Sequence, residues 1–164
     1  TAGTDALRAT LVTGAKYTDH LALGGRFSCA YIGEGGVVSC WGLALDGSNS
    51  MSPTASAVFS SSPAAVGAGE AMACAITDGG AVYCWGTGMM GNGNVNENQW
   101  SPTAVSGLTG ALAMAGGQGH SCVLRTGGSL LCWGSTSDYQ LGTGDSVARN
   151  TPNAVSIAGG FWQP

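Results

Sequence analysis

The chain has 164 residues, of which 29 are Gly, 44% are hydrophobic and only 9% are charged. Five scattered bases (Arg8, Lys16, Arg26, Arg125 and Arg149) stand against nine acids, for a net charge of −4. A nucleic-acid surface needs clustered cations to displace counterions from phosphate, and this chain has no such cluster. No apolar run approaches the ~18 residues of a membrane helix.

Gly, Ser, Thr and Val outnumber the residues that favour long helices, so the composition predicts many short strands joined by Gly-rich turns. The opening TAGTDALR has neither an initiator Met nor a signal-peptide pattern, which points to a processed or trimmed chain. There is no Asn-x-Ser/Thr sequon, although the many Ser and Thr are compatible with O-glycans.

In chain order, the first apolar stretch is ATLVTG, Ala9 to Gly14, followed by HLALGGRFSC. Next comes CAYIGEGGVVSCWG, bracketed by Cys29 and Cys40: an apolar strand, a Gly turn, a second apolar strand, then Cys-Trp-Gly. A polar loop, GLALDGSNSM, leads to SPTASAV around Pro53. The same order then recurs twice. VGAGEAMAC precedes CAITDGGAVYCWG between Cys74 and Cys84, and AMAGGQGHSC precedes CVLRTGGSLLCWG between Cys122 and Cys132. The later loops are GTGMMGNGNVNENQW and GSTSDYQLGTGDSVARN, and they lead to SPTAVSG and TPNAVSI around Pro102 and Pro152.

A Gly turn between two apolar strands is a β-hairpin signature. Pairing Cys74 with Cys84, or Cys122 with Cys132, centres the turn on Gly79 or Gly127. Both imply an odd loop with a Gly in the left-handed region. Pairing Cys29 with Cys40 centres the turn between Glu34 and Gly35 and implies an even loop. Each pair then falls opposite across its hairpin, where a disulfide needs Cα atoms about 5.5 Å apart. Six cysteines allow 15 pairings, so sequence leaves connectivity open. A zinc site and free thiols are the alternatives, although no CxxC knuckle is present. Three disulfides would place the chain in an oxidising compartment, secreted or at a cell surface.

The unit is therefore about 45 to 50 residues, a period that signals stacked repeats. The whole chain, 1–164, reads as one repeat domain with units at 11–52, 53–101 and 102–151 and a partial unit at 152–164. AGGQGHSCVL, LLCWG and YQLGTGD (Tyr139 to Asp145) resemble the repeat of the regulator-of-chromosome-condensation family. MMGNGN is a weaker copy of the last motif, and the paired cysteines match secreted versions of the repeat. The resemblance covers about Leu11 to Val155. It implies an all-β fold of four-stranded β-propeller blades, here about three, in an incomplete or open propeller.

Catalysis finds little support. His120 sits beside Ser121, but Phe27 and Met72 hold its place in the sister repeats. Asp19 and His20 have no nucleophile assigned to them, so no triad forms. Asn92, Asn94, Asn96 and Asn98 surround only one carboxylate, Glu97, which is too few for a calcium loop. No cofactor or metal is expected. Trp41, Trp85 and Trp133 recur at one position and read as wedges between blades. Met89, Met90, Trp100 and Tyr139 are large residues in polar loops and read as candidate interface residues.

The sequence thus points to a non-enzymatic extracellular structural or self-assembling protein, or to a blade segment of a larger surface protein. The alternative is a secreted protein-binding propeller, such as an inhibitor of an extracellular enzyme. The family's nuclear role, nucleotide exchange on a small GTPase with chromatin contact, fits neither the cysteines nor the acidic balance. The open repeat ends predict head-to-tail association of like chains, as a ring or a filament. Another protein is the other candidate partner.

Overall fold

A computed structural model describes residues 18–32, 36–43, 45, 49–60, 63–95 and 98–156. The described residues form twelve strands in three antiparallel four-stranded sheets. The first sheet holds β1 (Thr18–Leu23), β2 (Phe27–Ile32), β3 (Val37–Leu43) and β4 (Asn49–Val58). The second holds β5 (Pro63–Ala68), β6 (Met72–Thr77), β7 (Val82–Gly86) and β8 (Gln99–Ala104). The third holds β9 (Ala111–Gly116), β10 (His120–Arg125), β11 (Leu130–Gly134) and β12 (Arg149–Ala154). In every sheet the strands pair in chain order. The sheets are arranged as blades of a propeller, and the three blades of the described residues do not close into a ring.

The sequence units are out of phase with these sheets. Units at 53–101 and 102–151 start at a Pro-containing segment, but that segment forms the fourth strand of the preceding sheet, as Pro102 does in β8. The reason lies in the pairing with the third strand. Cys84 faces Thr103 and Gly86 faces Gln99, so four steps on β8 answer two on β7. The same break occurs between Thr54 and Ser50 in β4, and between Asn153 and Arg149 in β12. Pro53, Pro102 and Pro152 all fall inside this irregularity. Proline has no amide to give to a ladder, and an irregular outer strand tolerates it.

The Trp-Gly motif has its own steric cause. Gly42, Gly86 and Gly134 have φ of +100°, +119° and +112°. A Cβ there would lie 2.6, 2.4 and 2.3 Å from the carbonyl oxygens of Arg26, Ala71 and Gly119. Only glycine fits, because it combines left-handed backbone with close approach.

The second and third hairpins close with three-residue loops. The Thr77 amide donates to Ala81 O at 2.9 Å, and the Gly80 amide donates to Thr77 O at 2.8 Å, with Gly80 at φ +72°. Arg125, Gly128 and Ser129 repeat the pattern, so these loops are odd with left-handed glycines. The even loop expected at Glu34 and Gly35 lies outside the described residues.

Two apolar layers join the sheets. One sets Ala22, Phe27, Cys29, Val38, Cys40, Leu45 and Ala57 of the first blade against Ala68, Ala73, Ala75 and Trp85 of the second. The other sets Met72, Cys74, Ile76, Val82, Cys84 and Met90 of the second blade against Val123 and Trp133 of the third. First strands approach closely: a Cβ on Gly116 would lie 2.6 Å from Ala68 O. Blade corners are tied by backbone bonds, from the Gly25 amide to Glu70 O at 3.0 Å and from the Glu70 amide to Gly117 O at 3.2 Å.

Candidate interaction surface

Within each blade, Cys and Trp are neighbours on one strand, so their side chains leave opposite faces of the sheet. Cys29 pairs Cys40, Cys74 pairs Cys84 and Cys122 pairs Cys132 across the two middle strands, each closing a disulfide with Cα atoms 4.1 Å apart. The disulfide face of one blade meets the tryptophan face of the next.

This polarity sorts the three tryptophans. Trp85 is 1% exposed against the first blade, with the Phe59 ring centroid 6.2 Å away, and Trp133 is fully buried against the second. Trp41 is only half-buried, because among the described residues no sheet stands against the tryptophan face of the first blade. Beside it, Leu21 and Leu23 of β1 are 62% and 68% exposed.

The opposite end of the array is the disulfide face of the third blade. Leu124 and Leu130 are 42% and 37% exposed there. Their sister positions in the second blade, Ile76 and Val82, are 0% and 1% exposed beneath the third blade. His120 is half-buried for the same reason, whereas its counterparts Phe27 and Met72 are buried. Its Nδ1 lies 3.4 Å from Gln118 O. Ser121 is fully buried and leaves the opposite face of the strand, so the pair makes no dyad.

Of the loop residues, Met90 departs from the expected interface role. It is 1% exposed and belongs to the layer between the second and third blades, so it is core and not interface. Leu45 and Leu141 are buried likewise, and all three anchor the loop that follows Trp-Gly. The alignment of MMGNGN with YQLGTGD carried that signal, since it sets Met90 on Leu141. Met89 is half-buried and lines a shallow depression with Glu70, Thr87 and His120. Asp138 and Gln140, which flank Tyr139, line a second depression with Glu70 and His120. Tyr139 itself is 67% exposed and has φ +60°, the one positive value for a non-glycine among the described residues. Trp100, on β8, lines neither depression.

The Asn92 side chain accepts from the Asn94 amide at 3.0 Å and is used locally. Asn96 and Glu97 lie outside the described residues. No group of three or more His, Cys, Asp or Glu able to hold a metal occurs among the described residues. No described helix is long and apolar enough to cross a membrane. One ion pair ties a loop: Arg149 to Asp145 at 2.7 Å. The Asp145 carboxyl is held below the usual carboxylate range, first by the Val147 amide and then by Arg149.

Residues 79–124 and 112–140 match models of the "Regulator of chromosome condensation (RCC1) repeat". Among curated protein sequences there is no match. Solved structures share the fold. The complex of Kap60 with yeast RCC1 (Prp20) matches at TM-score 0.75 and 18% identity, over 88% of this chain and 38% of that one. Human WBSCR16 matches at 0.76 and 22%, over 87% and 40%. Prp20p from Saccharomyces cerevisiae, studied for its binding to Gsp1p and histones, matches at 0.68 and 21%, over 84% and 36%. The chain thus spans about two fifths of the length of these structures.

Proposed function

We propose that this chain, built of repeats of the RCC1 type, is a non-enzymatic protein-interaction module of an oxidising, extracellular or cell-surface environment. Its role is structural: it docks further blades or proteins on its open ends, alone or as a segment of a larger surface protein. The observation that carries this reading is the third blade's outer face, where Leu124 and Leu130 stand exposed while Ile76 and Val82 are covered. Three disulfides support the compartment. Propellers of this fold also bind proteins: the yeast relative is described with Kap60, Gsp1p and histones.

A second reading rests on the exposed rings of Trp100 and Tyr139: a secreted propeller that grips a partner, such as an extracellular enzyme, through its loops. An apolar fluorescent dye separates the two. At submicromolar protein, the dye should bind the chain and lose binding in Leu124→Asp/Leu130→Asp, with circular dichroism unchanged. Dye binding that survives this pair but falls on Trp100→Ala or Tyr139→Ala would favour the loops.

A further inference from the structure

The loop between β7 and β8 holds Asn92 beside Gly93, and Asn92 is the one asparagine in the chain that a glycine follows. A glycine has no side chain to shield its own amide nitrogen, so that nitrogen has an open approach to the preceding carboxamide. We propose that Asn92 is a self-modification site, deamidating through a cyclic imide with Gly93, and that the third blade's hold on this loop governs the rate. The site lies on the seam between the second and third blades, away from the end faces.

Two contacts act on the reaction in opposite senses. The Asn94 amide donates to Asn92 Oδ1 at 3.0 Å and polarises the carboxamide carbon. The Gly93 amide, which is the attacking group, donates to Asn150 O on β12 at 2.9 Å. The Asn150 side chain returns the bond, donating from Nδ2 to Gly93 O. A nitrogen whose proton is held in this way neither releases it nor turns toward Asn92 Cγ until the clasp opens. Water has access, since Asn92 is half-buried and Gly93 and Asn94 are exposed.

Water is the only co-reactant consumed. Hydroxide removes the Gly93 amide proton, the nitrogen bonds to Asn92 Cγ, and the Cγ–Nδ2 bond breaks to release ammonia. Water then opens the imide at either carbonyl, which leaves aspartate or isoaspartate and one added negative charge. Isoaspartate routes the main chain through the side-chain carbons and lengthens it by one atom. The loop is pinned on both sides of that change. Gly91 O accepts from the Ser106 amide at 2.9 Å, and a Cβ on Gly91 would lie 3.0 Å from Trp133 Nε1. Gly93 is held by Asn150. The lengthened chain no longer fits both pins, and the exposed Gly93 clasp is the one that releases.

Peptide mapping by mass during incubation of the oxidised chain at mildly alkaline pH tests this. Asn92 should gain one mass unit and split into aspartyl and isoaspartyl peptides, while Asn153 stays unchanged. The folded parent should react about tenfold more slowly than the reduced chain in urea, the protection given by a local opening of roughly 1.4 kcal/mol. Asn150→Ala removes the side-chain half of the clasp and should recover several-fold of that difference, with circular dichroism unchanged. Asn150→Asp, of the same size but without the donor, serves where alanine unsettles β12. Equal rates in the folded and unfolded parent, or folded variants no faster than the parent, overturn the proposal, and so does an Asn92 that stays intact in urea. In the isoaspartyl form the Gly93 amide should lose its protection from hydrogen exchange; retained protection overturns the release of the loop.

Discussion

Replacing Trp85 with alanine probes the joint on which the whole array depends. Trp85 is 1% exposed, flanked by the Phe59 ring and set among Phe27, Val38, Leu45, Ala73 and Ala75. A tryptophan removes about 200 Å² from water. At ~25 cal/mol/Å² that is about 5 kcal/mol. Alanine keeps the Cβ and the cavity relaxes only in part, which gives an expected loss of about 3–5 kcal/mol. Trp41 provides the control, since it occupies the same motif but is half-buried. In dilute protein Trp41→Ala should cost about 1–2 kcal/mol, since much of its surface is already in water. Urea unfolding followed by far-ultraviolet circular dichroism reads both, and an unchanged slope shows that the loss lies in stability and not in compactness. A Trp85→Ala loss below about 1 kcal/mol, or one equal to that of Trp41→Ala, would refute the wedge.

Met90→Ala should cost about 2–5 kcal/mol as a core truncation, and Met89→Ala far less, by thermal melting; equal losses would contradict the loop anchor. Gly116→Ala places a Cβ 2.6 Å from Ala68 O and 2.7 Å from Gly69, so it should destabilise the second joint, whereas Gly127→Ala meets no neighbour and suffers only from its φ of +81°. Cys74→Ser/Cys84→Ser should lose about 2–3 kcal/mol for a loop of this size. Peptide mapping without reduction should recover only the three pairs within blades, and a bond between blades would contradict the hairpins. The Asp145 carboxyl is depressed, so its interactions stabilise the loop above the ordinary carboxylate range and are lost as pH falls through its folded value. Arg149→Met should raise that titration midpoint by NMR, though not fully, because the Val147 amide remains.

The blades were legible in the sequence because their signals are local. A Gly-Gly turn between apolar strands dictates a hairpin, and a glycine after tryptophan marks a strand that brushes a carbonyl. The phase of the units was less legible. Ser-Pro and Thr-Pro look like the start of something, yet they lie within an outer strand whose irregular pairing excuses the missing amide. Met90 is hard to place from sequence because a Met-Met pair in a Gly/Asn-rich loop looks exposed when read alone. Loops of three different lengths separate Trp41 from Leu45, Trp85 from Met90 and Trp133 from Leu141, which hides their shared role as anchors. The exposure of Leu124 and Leu130 cannot be read from their own segment. Their sequence matches that of buried sisters, and only the absence of a covering blade among the described residues distinguishes them.

That the outer face of the third blade is a docking surface is tested most directly by the binding of an apolar fluorescent dye to the oxidised chain at submicromolar concentration. Binding should be lost in Leu124→Asp/Leu130→Asp with circular dichroism unchanged. Dye binding that survives this pair of substitutions in a folded chain would contradict it.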